Sequence, residues 1–156
     1  MSAARLPASM GGAAQLKMLG VGQRGDVLRL PCGFVAVGSW WFQGRALRRV
    51  VVSSSVRRLG SCAFQDCAEL HEVIFEPGST LTDIGESCFE RTALEKFVVP
   101  QSVRTIGSYA FRGCLRLCSV SAEDGSVLQS VGFWAFQGTE LKREDVSLPN
   151  LSENAF

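Results

Sequence analysis

Any nucleophilic or metal chemistry in this chain has to be built from a single histidine, His71, and six cysteines. A Ser-His or Cys-His dyad needs an imidazole to accept the nucleophile's proton, and His71 is the only candidate. It directly follows Leu70, at a strand position expected to face solvent. Cys62, Cys67 and His71 lie close in sequence, with Cys88 further on. A tetrahedral zinc site wants four ligands, its paired cysteines spaced by two to four residues. The C-x4-C-x3-H run is a poor match to that. There is no G-x-x-x-x-G-K-[ST] phosphate cradle. Asn150-Leu151-Ser152 is an N-glycosylation tripeptide and nothing more specific. The sequence therefore predicts no catalytic residue, cofactor or metal ligand set, and a chain that is not an enzyme.

The elements that would position such groups follow one internal pattern. A small or apolar residue followed by Phe recurs at Trp41-Phe42, Ala63-Phe64, Cys88-Phe89, Ala110-Phe111 and Ala135-Phe136, with Phe spacings of 22, 25, 22 and 25. Gly38, Gly60, Gly85, Gly107 and Gly132 each stand four residues before a Phe. An aliphatic residue precedes each glycine, and Leu47, Leu70, Leu94, Leu117 and Leu141 follow the five phenylalanines. The longer coils carry extra residues at the same two corners, so the full period is a 47-residue pair. Fixed-period self-similarity of this kind is the signature of a solenoid, in which one unit cannot bury its own apolar edge and stacking is obligatory.

Each unit supplies two short extended pieces whose apolar residues alternate inward at period two. One follows the Leu, as in Val50-Val51-Val52 and Phe97-Val98-Val99. The other ends at the glycine, as in Val103 to Gly107. Pro100 and Pro149 are placed to end strands, since they cannot donate to a ladder. The repeated glycine is expected to allow a turn conformation unfavourable for a residue with a Cβ. The expected body is about five coils of short parallel strands stacked into a curved sheet, an α/β-type repeat with short helical turns or irregular corners. Residues 1–26 lie outside the repeat as a tail or cap. The solenoid spans 27–156, and its last coil is incomplete.

With these columns laid out, the sequence resembles the BspA-type leucine-rich repeats, whose unit reads approximately L-x-x-V-x-I-P-x-S-V-x-x-I-G-x-x-A-F-x-x-C. LEKFVVPQSVRTIGSYAFRGC, residues 94–114, follows it almost position for position, and VRRLGSCAFQDCAEL and LTDIGESCFERTAL are similarly close. The resemblance covers residues 28–148. Departures are Trp41 and Cys88 in the Ala column and Arg45 in the Cys column. It implies a leucine-rich-repeat solenoid and a protein-interaction role, and it carries over no catalytic residue.

Composition supports the same class. The chain is 46% hydrophobic and 20% charged, enough apolar content for a packed core. No stretch is long and apolar enough for a membrane-spanning helix, and the first residues do not read as a signal peptide. Residues 1–60 hold nine basic residues and one acid, a net of +8, and residues 61–156 hold seven basic residues and fourteen acids, a net of −7. This polarity allows head-to-tail self-association, but the overall balance of +1 does not suit nucleic acid. Cys67 and Cys114 share a column with Thr92 and Thr139 where a small buried residue is wanted. Unpaired, mostly buried thiols favour a reducing, intracellular setting.

The expected partner is another protein, bound on the solvent face of the repeat sheet. Three columns build that face. Arg48, His71, Glu95 and Cys118 form the first, Arg49, Glu72, Lys96 and Ser119 the second, and Val51, Ile74, Val98 and Ser121 the third, with Val51, Ile74 and Val98 as its apolar part. An apolar stripe rimmed by charge is the pattern of an interaction surface. The alternative is a piece of a longer surface- or adhesion-type repeat array with only a structural role. A second candidate is the column before the Ala, namely Trp40, Cys62, Ser87, Tyr109 and Trp134, where packing along the corner is the simpler expectation.

Overall fold

A computed structural model describes residues 27–156; the expected N-terminal tail or cap, residues 1–26, lies outside them. Each coil contributes one strand to a front face and one to a back face. The front strands are β1 (Val27–Arg29), β3 (Arg49–Val52), β5 (Glu72–Phe75), β7 (Lys96–Val99), β9 (Ser119–Ala122) and β11 (Val146–Ser147). The back strands are β2 (Ala36–Val37), β4 (Arg58–Leu59), β6 (Asp83–Ile84), β8 (Thr105–Ile106) and β10 (Ser130–Val131). All pairing is parallel, and the five back strands form one continuous sheet in coil order. The corners are turns, apart from short 3-10 segments at Arg143–Asp145 and Glu153–Ala155.

The core sits between the two faces. Its spine is the Phe column: Phe42, Phe64, Phe89, Phe111 and Phe136 are all at most 1% exposed. Their rings stack in series with centroids 5.3, 5.6, 5.7 and 5.6 Å apart. Each buried aromatic contributes about 1.5–3 kcal/mol of apolar burial, and the stacking adds about 0.5–1.5 kcal/mol per pair. Leu28, Val50 and Val73 are in register across the first three front strands, and Phe97, Val120 and Val146 across the last three.

The glycine column has a different reason from the one expected. Gly60, Gly85, Gly107 and Gly132 do not adopt left-handed backbone; a Cβ at Gly107 would fall 2.5 Å from the main-chain nitrogen of Glu86 in the neighbouring coil. Close approach of backbones, not turn conformation, requires glycine here. The left-handed positions are elsewhere. Trp40, Cys62, Ser87, Tyr109 and Trp134 have φ between 51° and 60°, an uncommon state for residues with a Cβ. The stack over-determines it: the N–H of each donates to a carbonyl of the next coil, from Trp40 to Ser61 (3.0 Å) through to Trp134 and Asn154 (2.6 Å). Local strain persists where surrounding bonds hold it in place.

The front face is not the single sheet the sequence suggests. It is two three-stranded sheets, β1-β3-β5 and β7-β9-β11, and no pairing joins β5 to β7. Two features at the boundary of β5 and β7 account for the break. Glu76 N donates to Val52 O and Glu123 N to Val99 O, both at 3.0 Å; the equivalent residue between them is Pro100, which has no N–H. Pro149 has the same place after β11, which pairs over only two residues. In addition, the bulky Phe75 and Phe97 meet edge-on at the break, with centroids 5.8 Å apart and planes at 83°.

The corner that follows β11 is built. Asn154 O and Ala155 O accept from Trp134 N and Phe136 N, and the Phe156 ring lies 5.6 Å from that of Phe136. The shortened stretch before it costs the coil its back strand, so among the described residues no sixth strand pairs with β10.

Candidate interaction face

The front strands fix which side chains face solvent, because alternate residues point to opposite faces. Ile74 and Val98 are 38% and 52% exposed, large β-branched side chains on an otherwise polar surface. Val51, expected beside them, is only 8% exposed and does not extend the stripe. It lies on the central strand of its sheet, between Arg29 and Ile74 in register, whereas β5 and β7 border the break.

Charged residues surround the two apolar side chains. Arg49 pairs with Glu72 at 2.5 Å, Arg48 with Glu69 at 3.2 Å and Glu95 with Arg116 at 3.9 Å. All six side chains are well exposed, so each pair contributes about 0–1 kcal/mol. The alternating second column therefore pairs only on one side: Arg49 reaches Glu72, but Glu72 and Lys96 stand on opposite sides of the break. His71 is exposed, with Nδ1 3.2 Å from the main-chain oxygen of Glu69. Where β5 and β7 part, an open groove of about 480 Å³ runs between them, lined by Arg49, His71, Glu72, Val73, Phe75, Glu95, Lys96, Val98 and Glu123. Val73 occupies an inward register, yet it is half-buried because no strand closes over it.

The cysteines take structural places. All six are unpaired, with Cys67, Cys88 and Cys114 buried and Cys32 and Cys118 exposed; burial is thus less general than expected. Cys67 Sγ donates to Phe42 O (3.0 Å) and Cys114 Sγ to Phe89 O (3.1 Å). Thr92 and Thr139 in the same column donate to Phe89 O and Phe136 O. Burial pushes the Cys67 thiol up to about 11 and raises the Cys88 and Cys114 thiols too, which leaves them poor nucleophiles. Among the described residues no group of three His, Cys, Asp or Glu side chains could hold a metal.

Two other surfaces carry concentrated chemistry. Tyr109 and Trp134 stack at 5.6 Å with the Arg112 guanidinium 5.4 Å from the Tyr109 ring centre, and Trp40, 60% exposed, hydrogen bonds the Cys62 side chain. Cys62 and Ser87 interrupt the column, so it is no continuous aromatic strip. On the corner, the buried Glu90 carboxylate lies 2.6 Å from Arg91 and accepts from Gln65 at 2.8 Å. Arg91 also grips Asp66 at 2.6 and 3.0 Å, and this hydrogen bond holds Asp66 below its ordinary carboxylate range. The sequence columns gave no sign of this ion network, because its members lie one coil apart in positions that vary.

Comparison with known proteins agrees with the geometry. The pneumococcal vaccine antigen PcpA superposes with a TM-score of 0.63 at 18% identity, over 80% of this chain and 43% of that one. A leucine-rich repeat protein from Bacteroides ovatus gives 0.52 at 26% identity, over 72% and 34%. A leucine rich cell surface protein from Faecalibacterium prausnitzii gives 0.57 at 19% identity, over 81% and 36%. The chain thus spans less than half the length of each of these structures. Comparison with curated proteins found no match. The BspA type leucine rich repeat region matches in six copies over residues 29–156, in step with five full coils and a sixth reduced to a front strand and corner, and the chain belongs to that family.

Proposed function

We propose that this chain is a non-catalytic module that binds a protein partner on the front face of its solenoid. The observation carrying this reading is the exposure of Ile74 and Val98 on the two strands that border the break, with Arg48, Arg49, His71, Glu72, Glu95 and Lys96 around them. Exposed β-branched residues within a charged surround suit an interface whose centre is apolar and whose rim is polar. The buried, proton-retaining thiols and the solvent-facing His71 give no assembled nucleophile or base, which favours binding over catalysis. A photo-crosslinking amino acid placed at position 74 or 98 tests the reading against one at Leu115, which is 68% exposed away from the strands. A discrete crosslinked species from positions 74 and 98 and none from 115 supports it; equal crosslinking at all three contradicts it.

A further inference from the structure

Among the described residues, the break in the front face leaves two interior strand edges without partners. The bonds from His71 N and Glu72 N to Arg48 O, and from Glu76 N to Val52 O, turn alternate residues of β5 toward β3. In a parallel ladder the intervening residues turn their main-chain groups the other way, so Val73 and Phe75 address the groove. In β7, Glu95 O and Val99 O accept from Cys118 N and Glu123 N, and Lys96 and Val98 address the groove in the same manner. Unpaired strand edges are templates for another strand, and here two of them border a groove whose lining includes Val73, Phe75 and Val98.

We propose that the groove between β5 and β7 takes up an extended strand of a protein partner, hydrogen bonded to both edges. Its residues alternate: an acidic one outward beside Lys96, then one inward over Val73, then an apolar β-branched one outward between Ile74 and Val98. The acidic position follows from charge. Glu72 is already paired with Arg49, whereas Lys96 makes no ion pair among the described residues and is exposed. The apolar position follows from the exposure of Ile74 and Val98. A basic residue suits the far end, where Glu123 lines the groove. Admission of a strand sets β5 and β7 about 10 Å apart, twice the usual strand spacing, while the continuous back sheet holds the coils together. This rests on the front-face reading and specifies how that face binds.

The probes are the capped peptides Glu-Thr-Val-Thr-Lys and Lys-Thr-Val-Thr-Glu, one for each strand direction, and versions N-methylated at alternate residues. One of the unmethylated pair is expected to bind the full chain, slowing hydrogen exchange at the Val73, Phe75, Lys96 and Val98 amides, with its methylated version at least tenfold weaker. The double variant Phe75→Val, Pro100→Ser gives position 75 the valine found at Val52 and Val99 and position 100 the serine found at Ser53, restores the missing N–H, and is expected to protect the Val98 amide without peptide and to lose peptide binding. No binding by either peptide at millimolar concentration, or equal binding by the methylated version, overturns the proposal. Protection that appears without peptide and rises with protein concentration assigns the groove to a second copy and overturns it too. The closed variant keeps Ile74 and Val98 in place, so a natural partner that binds it undiminished sinks strand uptake while leaving the front-face reading standing.

Discussion

Cys114 and Phe89 lie one coil apart, and the thiol of the first donates to the main-chain oxygen of the second at 3.1 Å. Phe89 O also accepts from Thr92 Oγ1 at 2.9 Å, so this carbonyl keeps a partner if the thiol is lost. Replacing Cys114 by Ala removes a buried sulfur and its weak hydrogen-bond contacts with Phe89 O and Thr92 Oγ1 and is expected to cost about 1–2 kcal/mol. Urea denaturation measures it. In the native state, iodoacetamide at pH 8 is expected to label Cys32 and Cys118 and to spare Cys67, Cys88 and Cys114, as mass spectrometry of the peptides would show. Rapid labelling of the buried three would mean that the coils open readily.

Stability should concentrate in the Phe column. Phe111 is fully buried between Phe89 and Phe136, and Phe111→Ala is expected to cost about 3–5 kcal/mol. Lys96→Ala, on the exposed face, should change stability by less than about 1 kcal/mol. Equal midpoint shifts for the two variants would mean that the inward and outward registers are misassigned.

Glycine substitutions separate close approach from conformation. Gly107→Ala puts a Cβ 2.5 Å from the Glu86 main-chain nitrogen, and an unyielding backbone contact should cost at least the ~1–3 kcal/mol of ordinary overpacking. Gly138 has φ +69° with nothing nearer than 3.8 Å to an added Cβ, so Gly138→Ala bears only the left-handed penalty of about 1–2 kcal/mol. Gly138→Asn should cost less still, because Asn tolerates that region and Asp66 and Arg91 already adopt it at the equivalent places. A Gly107→Ala variant as stable as wild type would contradict the backbone packing described.

Two carboxylates make stability fall with acid. Hydrogen bonds from Arg91 to Asp66, and from Thr82 and Thr105 to Asp83, hold both below the ordinary carboxylate range. A group whose pKa is depressed in the folded state contributes stability above its unfolded pKa and loses it as pH falls through the folded one. Thermal midpoints should therefore hold steady from neutral pH down to about 5 and decline below about 4. Asp66→Asn and Asp83→Asn together should flatten part of that decline, and an unchanged acid limb would show that these bonds do not couple to folding.

The repeat made most of the fold legible. The Phe spacings gave the coil number, the Leu and Val columns gave the core, and both strands of each coil fell where alternation put them. The break between β5 and β7 was not legible, because Phe75, Phe97 and Pro100 each suit their own strand and conflict only when their coils are neighbours. Val51 shows the same limit. Its outward parity was readable, but its burial depends on bonded strands to either side, which alternation alone does not reveal. The glycines were found for the right positions and the wrong reason, since a one-dimensional pattern cannot tell a close neighbour from an unusual φ. Of the proposed interaction face, the exposure of Ile74 and Val98 and their charged surround were legible.

The central claim, that a protein partner binds on the front face, is tested most directly by comparing its capture with wild type, with the double variant Ile74→Asp, Val98→Asp, and with Leu115→Asp, once circular dichroism has shown all three folded. The account predicts that a partner crosslinked through positions 74 and 98 is retained by wild type and Leu115→Asp and lost by the double variant. Retention of that partner by all three would contradict it.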